Sequence, residues 1–541
     1  MPLRHSVLPA ISLAFVAIAS PLHAQDRTAR FDAIFSRYAT PSSPGCAVAL
    51  STATDTLARG YGSADLEHDV PITASTIFEA GSVSKQITAA AIVLLSLDGK
   101  LSLDDDVRKF VPELPEYGQR ITIRHLLNHT SGLRDWGSVA ALGGWPRGSR
   151  VYNHRIVVDI ASRQKALNYA PGTHYSYTNT GYNLLAVIVA RITGQSFSDF
   201  TRDRIFQPLG MTSSSWRDDY TRVVKGRAVA YAPTAGNGWR MDMPFENAHG
   251  NGGMLTTVQD LLRFTRNLET GTLGGPRFIE EMHRQGKLNS GKEITYASGL
   301  IVSDWRGLKD VSHSGATAGY RAFLTRLPER NVAVAVLCNA ANANPTALAR
   351  QVLETAVTPT VAANTRPATT DSVSVSTLLG TYKNSRAGQP VRLTWRNGQL
   401  AVGNGLLLSP QSDRRYVTQT GDVVVFDAPI QGKRGGFHVL SDGDSVRYEP
   451  VEAFTPTAAN LAEYAGTYSS DEVETTFDVV VDGSNLRLRD RYGNLQPMLP
   501  SYRDSFASGG SVVTFVRNGA GKVVGMTLGV DRAWKVMFNK R

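Results

Sequence analysis

The chain has 541 residues, enough for two to four domains, and its 42% hydrophobic and 19% charged residues are typical of a folded globular protein. This composition excludes intrinsic disorder, and after the amino terminus no apolar run is long enough to span a bilayer. The net charge of +10 permits attraction to an anionic cell-wall polymer or a lipid surface. The basic residues are scattered and are not interleaved with aromatics, so we expect no nucleic-acid partner.

Residues 1–24 have the pattern of a secretory signal peptide. Arg4 provides the positive end, residues 7–19 form an apolar run, and the segment ends in the small residue Ala24. The alternative, a membrane anchor, needs about 20 uninterrupted apolar residues, and this run is interrupted twice. We therefore predict cleavage after Ala24, no stable membrane anchor, and a secreted, periplasmic protein.

Residues 25–357 form the first predicted domain, with strand patterns at both of its ends and mostly helix and loop between them. The predicted strands cover residues 45–50, 54–61, 296–303, 310–313, 320–327 and 331–338. The predicted helices cover residues 30–38 and 345–357, a stretch starting at 81–84, a region beginning at 101–106, a turn and helix at 121–133, and a helix capped at Thr257. Strands at both ends predict one sheet that is closed by both ends of the segment.

The carboxy-terminal part has a different pattern, in which helical periodicity disappears. Residues 358–372 have the composition of a linker. The sequence Gly380-Thr381-Tyr382 recurs 86 positions later as Gly466-Thr467-Tyr468, and each copy is followed by a hairpin-turn dipeptide. This repeat predicts two small antiparallel β-barrels, at residues 373–455 and 456–541.

The two cysteines, Cys46 and Cys338, are too few for a disulfide framework or a zinc site. Each lies in an apolar run with a strand pattern, so we expect buried free thiols.

A possible nucleophile lies at the start of the helix that begins at residues 81–84. Ser82 and Lys85 are three residues apart and project from one face of the first turn, so the amine can reach the hydroxyl. A neighbouring amine with a lowered pKa can accept the hydroxyl proton and activate the serine. The same Ser-x-x-Lys spacing recurs at Ser162 and Lys165, but there the intervening residues are polar and indicate a solvated helix face.

Two further motifs follow in chain order: Tyr-x-Asn at Tyr177 and Asn179, and His-x-Gly at His313 and Gly315. Together with Ser82-x-x-Lys85, they resemble the serine β-lactamase and penicillin-binding-protein superfamily, in the class C-like branch that includes D-aminopeptidases, DD-carboxypeptidases and esterases. The resemblance covers about residues 30–357. It implies an α/β fold with an antiparallel sheet and a helical subdomain. Similar tripeptides at residues 382–384, 492–494 and 433–435 lie in the predicted barrels and lack the flanking residues of that family.

The resemblance also implies catalytic roles. Ser82 would attack the substrate carbonyl, and Lys85 and Tyr177 would take its proton and pass it to the leaving group. Asn179 would orient Lys85 and bind the substrate amide.

The His-x-Gly strand would complete this site. The backbone N–H groups of Ser82 and Ala316 would form the oxyanion hole, while Gly315 and Thr317 would bind the substrate. His313 occupies the position where true β-lactamases usually carry lysine, and a neutral histidine holds a carboxylate less well. This departure argues against a preference for β-lactams or for a terminal carboxylate.

We expect neither a metal nor another cofactor. His125 and His129 have the spacing of a zinc pair but lack the adjacent glutamate, so structural roles are the better interpretation. The glycines at residues 250–253 lack the lysine of a phosphate-binding loop.

The resulting hypothesis is a secreted serine hydrolase that acts through an acyl-enzyme on small peptide amides or esters. The three-domain layout is similar to that of D-aminopeptidases, which favours substrates containing D-amino acids. A DD-carboxypeptidase, a carboxylesterase and a non-catalytic cell-envelope binding protein are the alternatives.

Two further expectations rest on the same resemblance. The family fold places the strands of Cys46 and Cys338 side by side, although we still expect free thiols because neighbouring antiparallel strands rarely meet disulfide geometry. The loop at residues 469–474 would extend towards Ser82, where its three acids could attract a free α-amine.

Overall fold

The computed structural model describes residues 21–357, 375–403, 405–412, 414–418, 422–429, 433–441 and 444–541. It confirms the predicted fold class: a mixed α/β domain with an antiparallel sheet, followed by two closed eight-stranded antiparallel barrels. Residues 1–20 of the predicted signal peptide and the whole predicted linker lie outside the described residues. No helix of the described part is long and apolar enough to cross a membrane.

The helices of the first domain are α1 Pro21–Ile34, α2 Lys85–Leu97, α3 Ile123–Leu127, α4 Trp136–Leu142, α5 His154–Ser162, α6 Asn179–Thr193, α7 Phe197–Thr201, α8 Val258–Thr270, α9 Gly275–His283 and α10 Pro345–Glu354. Its strands are β1 Cys46–Ser51, β2 Thr56–Tyr61, β3 Ser63–Asp65, β4 Val70–Pro71, β5 Phe78–Glu79, β6 Ser215–Trp216, β7 Tyr231–Pro233, β8 Trp239–Met241, β9 Met254–Thr256, β10 Ile301–Trp305, β11 Leu308–Thr317, β12 Tyr320–Leu327 and β13 Val332–Cys338. Short 3-10 helices cover Ser36–Tyr38, Gly81–Ser84, Val107–Lys109 and Pro328–Arg330, and a π-helical turn covers Arg202–Phe206.

Several predicted element bounds are wrong. The strand predicted at 296–303 begins only at Ile301, because Gly299 adopts a left-handed conformation (φ +72°) that interrupts an extended run. The next strand is longer than predicted and runs from Leu308 to Thr317. The region at 101–106 contains turns and leads only into the 3-10 helix Val107–Lys109.

The main sheet has the strand order β10-β11-β12-β13-β1-β2, so the two ends of the domain meet as β13 and β1. In this register Cys46 lies directly opposite Cys338 and the two form a disulfide, so the expectation of free thiols is wrong. The side chains of directly opposed residues project from the same face of a sheet, which brings the two sulfur atoms together.

Both faces of the sheet are covered, as the alternation along β1 shows. Ala47 and Ala49 belong to the large core shared with α2 and the helical subdomain. Val48 and Leu50 belong to the core on the opposite face, beneath α1 and α10. Helix α2 is buried from Lys85 to Leu95, and the Ser82-x-x-Lys85 motif at its start is therefore held on a rigid element.

The first barrel contains β14 Gly380–Asn384, β15 Pro390–Arg396, β16 Gln399–Val402, β17 Leu406–Ser412, β18 Arg415–Thr418, β19 Val423–Phe426, β20 Phe437–Ser441 and β21 Asp444–Pro450. After α11 Ala458–Tyr464, the second barrel contains β22 Gly466–Ser470, β23 Thr475–Asp482, β24 Asn485–Arg489, β25 Leu495–Tyr502, β26 Ser505–Ser508, β27 Ser511–Arg517, β28 Val523–Val530 and β29 Ala533–Lys540.

The repeated tripeptide occupies the same place in both barrels. Tyr382 and Tyr468 are fully buried on the first strands, and each hydroxyl donates to the backbone oxygen four residues earlier, at 2.8 Å and 2.7 Å respectively. The repeat therefore encodes the same local contact between the first strand of each barrel and the segment before it.

The second barrel packs on the helical subdomain of the first domain. Trp136, Val139 and Tyr152 of the subdomain belong to one apolar cluster with Val473 and Phe515 of the barrel. The two domains consequently share one continuous core.

Candidate active site

Ser82 lies in the 3-10 helix Gly81–Ser84, directly before α2. Gly81 adopts φ +51°, and a Cβ atom at this position would lie 2.6 Å from the backbone nitrogen of Ala316. Glycine is therefore required here, because both the left-handed backbone and the close approach exclude a side chain. This turn holds Ser82 at the mouth of a cleft.

The Lys85 amine lies beneath Ser82 and is completely buried. Its Nζ atom donates to Asn179 Oδ1 at 2.9 Å and to the backbone oxygen of Asn251 at 2.6 Å. Ser82 Oγ lies 3.2 Å from the same nitrogen. A neutral amine has two N–H donors, which the first two oxygens take, so its lone pair is directed at the hydroxyl of Ser82.

Burial holds the pKa of Lys85 well below its ordinary value, and the positive charges of Arg532 and Arg147 lower it further, against the opposing charge of Asp135. This environment favours the neutral amine, which is the form that accepts a proton.

The Tyr177 hydroxyl is buried and has no hydrogen-bond partner among the described residues. Burial raises its pKa, while the nearby Ser82 side chain and the charge of Arg532 lower it. The phenol is therefore protonated at neutral pH and can donate to a substrate atom. The Lys85 Nζ atom lies 4.8 Å from the centre of its ring.

Asn179 is the first residue of α6, and a buried aspartate fixes its position. Asp135 Oδ2 accepts the backbone N–H of Asn179 at 2.7 Å, while Oδ1 caps helix α4 through the backbone of Gly137 and Ser138. The sequence analysis did not identify Asp135 as a site residue. It also missed the role of Asn251, although the glycines on either side of Asn251 mark a tight loop.

The edge of β11 forms the opposite wall of the cleft. Strand β10 pairs only with residues 308–312, so residues 313–317 have one unpaired edge beside Ser82. A Cβ atom on Gly315 would lie 2.1 Å from the backbone oxygen of Ala80, which shows how closely the two backbones approach. An extended peptide can add to such an edge by backbone hydrogen bonds.

His313 is 3% exposed and points into the core beside the cleft. Its Nδ1 atom lies 2.6 Å from the backbone oxygen of Ser314, which can only accept, so Nδ1 carries the proton and Nε2 accepts from the Tyr296 hydroxyl at 2.9 Å. Burial lowers the pKa of His313 to about 4. The imidazole is neutral at pH 7.

The cleft has a volume of about 570 Å³. Its lining includes most of the residues that the motifs singled out: Ser82, Tyr177, Asn179, His313, Gly315, Ala316 and Thr317. A neighbouring cavity of about 660 Å³ shares Arg147, Ala316, Thr317 and Arg321 with the cleft but lacks Ser82. The structure thus brings the predicted site residues together around the smaller cavity, with Lys85 beneath it.

The second Ser-x-x-Lys match and the two histidines with zinc-like spacing have structural roles. Ser162 Oγ donates to the backbone oxygen of Asp159, and the Lys165 amine pairs with Asp471 of the second barrel. His129 is buried against Tyr177, with ring centroids 4.2 Å apart.

The other histidine of the zinc-like pair, His125, accepts the backbone N–H of Thr122 in a capping box. These roles agree with the prediction that His125 and His129 are structural.

The acidic loop at residues 469–474 does not line the cleft, and that prediction is wrong. Glu472 is buried and pairs with Arg134 at 2.6 Å, while Asp471 pairs with Lys165 and Glu474 with Arg163. The acids are used to dock the barrel on the helical subdomain, because each meets a cation there.

A different hairpin of the second barrel reaches the site. Its tip joins β28 and β29, and the backbone oxygen of Arg532 accepts from the backbone N–H of Asp135 at 3.0 Å and from Asn168 Nδ2 at 3.1 Å. The Arg532 guanidinium lies 5.0 Å from the centre of the Tyr177 ring and lines the cleft. The barrel therefore contributes a cation to the site.

The beta-lactamase family model matches residues 31–357, which are more than half of the chain. The chain belongs to the beta-lactamase family. With penicillin-binding proteins and D-aminopeptidases among its relatives, the domain at residues 31–357 belongs to the β-lactamase and penicillin-binding-protein superfamily.

The relatives include penicillin-binding protein 4* of Bacillus subtilis (strain 168), which is 31% identical over 293 residues, 52% of this chain and 64% of the relative. A D-aminopeptidase of Gluconobacter oxydans (strain 621H) is 29% identical over 58% of this chain and 59% of its own length. A D-aminopeptidase of Cereibacter sphaeroides (strain KD131 / KCTC 12085) is 26% identical over 78% of each chain. The chain thus spans less than two thirds of the length of the first two relatives.

Solved structures show the same fold. The D-amino acid amidase from Ochrobactrum anthropi SV3, complexed with L-phenylalanine amide, matches with a TM-score of 0.52 and 25% identity over 61% of this chain and 98% of the amidase. The octameric penicillin-binding protein homologue from Pyrococcus abyssi covers 87% of this chain and 99% of its own, with a TM-score of 0.55 and 21% identity.

Proposed function

We propose that this protein is a serine hydrolase, which cleaves amide or ester bonds of small peptides through an acyl-enzyme on Ser82. The observation that supports this most is the geometry of Lys85, whose buried amine uses two donors on fixed oxygens and faces Ser82 Oγ at 3.2 Å. The active-site serine of an acyl-transfer enzyme needs such a proton acceptor.

In the proposed acylation step, Ser82 Oγ forms a bond to the substrate carbonyl carbon and its proton moves to Lys85 Nζ. The backbone N–H groups of Ser82 and Ala316 stabilise the resulting oxyanion. Tyr177, which is protonated, gives its proton to the leaving amine or alkoxide and regains one from Lys85. A water molecule then releases the acyl group by the reverse proton path.

The proposed substrates contain D-amino acids, with a D-aminopeptidase activity as the leading candidate. Relatives named D-aminopeptidase and D-amino acid amidase support this, as does a layout with two further barrels. We also propose export to the periplasm after cleavage behind Ala24. A mature protein whose amino-terminal residue is Gln25 would support that location, whereas an uncleaved cytoplasmic protein would contradict it.

The function is tested by labelling the protein with a fluorophosphonate probe and by assaying D- and L-aminoacyl nitroanilides, short esters and a chromogenic cephalosporin. Wild type should be labelled and active, Ser82→Ala should be neither, and Ser162→Ala should behave as wild type. Tyr177→Phe should retain labelling but lose roughly two to four orders of magnitude in turnover. A Ser82→Ala variant that still turned over substrate would exclude the proposed nucleophile.

A second candidate is a carboxypeptidase that acts on D-configured peptides. The specific observation in its favour is the cation Arg532 beside Tyr177, where a free amine would be repelled.

A further inference from the structure

The lining of the active-site cleft contains three arginines and no aspartate or glutamate. Arg147 is already neutralised, because its Nε atom donates to Glu246 at 3.1 Å. The charges that face a substrate are therefore those of Arg321 and Arg532.

Arg321 lies on β12, opposite Ala316 of the cleft edge. Its Nη1 atom donates to the backbone oxygens of Ala318 and Tyr320, both at 2.7 Å, and the described residues give it no ion-pair partner. The β11–β12 turn thus fixes the direction of this guanidinium, and the charge of Asp242, which lines the neighbouring cavity, acts on it without forming an ion pair.

Arg532 is fixed through its own backbone, whose oxygen accepts two hydrogen bonds from the first domain. Its acidic neighbour is Asp531, whose carboxylate lies 3.2 Å from Nε and whose side chain is 81% exposed. An exposed pair of this kind contributes little, and it does not occupy the Nη atoms of Arg532. The guanidinium can therefore bind a ligand in the cleft.

We propose that the cleft selects substrates that carry a carboxylate, and that Arg532 of the second barrel, together with Arg321, binds this group. The proposal rests on the acyl-enzyme hydrolysis proposed above, and within that function it favours the second candidate, the carboxypeptidase, over the D-aminopeptidase. Guanidinium groups hold carboxylates by paired hydrogen bonds, and a cleft with one sign of charge raises the local concentration of the opposite charge. A substrate with a free α-ammonium group would meet two cations instead of the acid that it needs.

The carboxylate can belong to the acyl part or to the leaving group, and the assay separates these cases. On the acyl side, N-succinyl-D-alanine p-nitroanilide is compared with its N-acetyl and free-amine analogues. On the leaving-group side, N-acetyl-D-alanyl-D-lactate is compared with its methylamide. Each set is measured with wild type, Arg532→Gln, Arg532→Lys, Arg532→Glu and the control Arg503→Gln, which removes an exposed arginine of the same barrel.

In at least one set, wild type should prefer the carboxylate over the neutral analogue by about 10- to 100-fold in kcat/KM, which is the usual worth of a hydrogen-bonded charge. Arg532→Gln should lose most of that preference, Arg532→Lys should retain part of it, and Arg532→Glu should reverse it in favour of the free amine. Arg503→Gln should keep it. Comparing analogues within one variant cancels any effect of the Arg532 charge on Lys85, since both analogues react with the same nucleophile.

Calorimetry with the Ser82→Ala variant tests binding without turnover. N-acetyl-D-alanyl-D-alanine should bind more tightly than its carboxy-terminal amide, and this difference should disappear in Ser82→Ala/Arg532→Gln. Equal binding of acid and amide, or a wild-type preference for the free amine, would overturn the proposal. If hydrolysis of neutral substrates depends on Ser82 while carboxylates are not preferred, the proposed function stands and this inference alone fails. If the acid binds better than the amide but no substrate is hydrolysed, the carboxylate site stands and the proposed function fails.

Discussion

The two barrels have the same number of strands and the same buried tyrosine on the first strand, but they differ in their contacts with the active site. The first barrel has a core of its own, and Gly388 on its surface accepts a hydrogen bond at 2.7 Å from Tyr502 of the second barrel. The second barrel shares its core with the helical subdomain and places Arg532 in the cleft. A repeated fold therefore does not imply a repeated role, because the loops between strands decide what each barrel contacts.

The strongest test of this difference removes one barrel at a time. Deleting the second barrel should abolish turnover and folding of the helical subdomain, because Trp136, Val139 and Tyr152 would lose their buried partners. Replacing the first barrel by a flexible Gly-Ser linker should leave kcat/KM within about tenfold of wild type, a change of ~1.4 kcal/mol. Turnover and circular dichroism melting of both variants measure this, and equal losses would contradict the distinction.

The next test concerns the ion pair that docks the second barrel. Arg134 and Glu472 have side chains only 2% and 5% exposed, so Glu472→Gln should lower the free energy of unfolding by about 3 to 5 kcal/mol, since it leaves a buried charge unpaired.

The matched control in the first barrel is the exposed pair of Lys383 and Glu449, where Glu449→Gln should cost about 0 to 1 kcal/mol. Urea unfolding measures both variants. A similar small loss in both would show that the docking pair contributes no more than a surface pair.

A pH test concerns His313, a buried residue of the domain that carries the cleft. The pKa of His313 falls from 6.5 to about 4 on folding, so the unfolded chain binds its proton first as the pH is lowered. The stability contributed by this group is present above pH 6.5 and is lost between pH 6.5 and about 4, on the order of 3 kcal/mol in all. His313→Gln should reduce the acid-induced loss by that amount, as measured by unfolding at pH 7 and pH 4; an unchanged loss would contradict the buried neutral imidazole.

The smallest expected effect concerns the buried tyrosine that both barrels share. Tyr382→Phe and Tyr468→Phe each remove one buried hydrogen bond, so each should cost about 0.5 to 1.5 kcal/mol of stability. Neither should change kcat/KM, because neither hydroxyl contacts the hairpin of Arg532. Unequal losses, determined from thermal melting, would show that the repeat is not equivalent in the two barrels.

Much of the first domain could be predicted because its signals are local. The helix pattern after Ser82 placed Lys85 three residues later on the same face, and the structure has that geometry. The strand runs at both ends of the domain predicted the closed sheet, because apolar runs of this length are typical of buried strands. The error at residues 296–303 came from one glycine, Gly299, whose left-handed conformation depends on its neighbours.

The sequence by itself determined the fold class, the repeat of two barrels and the four motif residues Ser82, Lys85, Tyr177 and Asn179. Only the tertiary structure decided that Cys46 and Cys338 bond, that Asp135 orients Asn179, that the acids of the second barrel dock it instead of facing substrate, and that Arg532 enters the cleft. The physical reason is the range of the interactions. Periodicity and turn chemistry act over a few residues, whereas these contacts join segments from 44 to more than 300 residues apart. An arginine at a hairpin tip has no local pattern that distinguishes a binding group from a solvated surface charge.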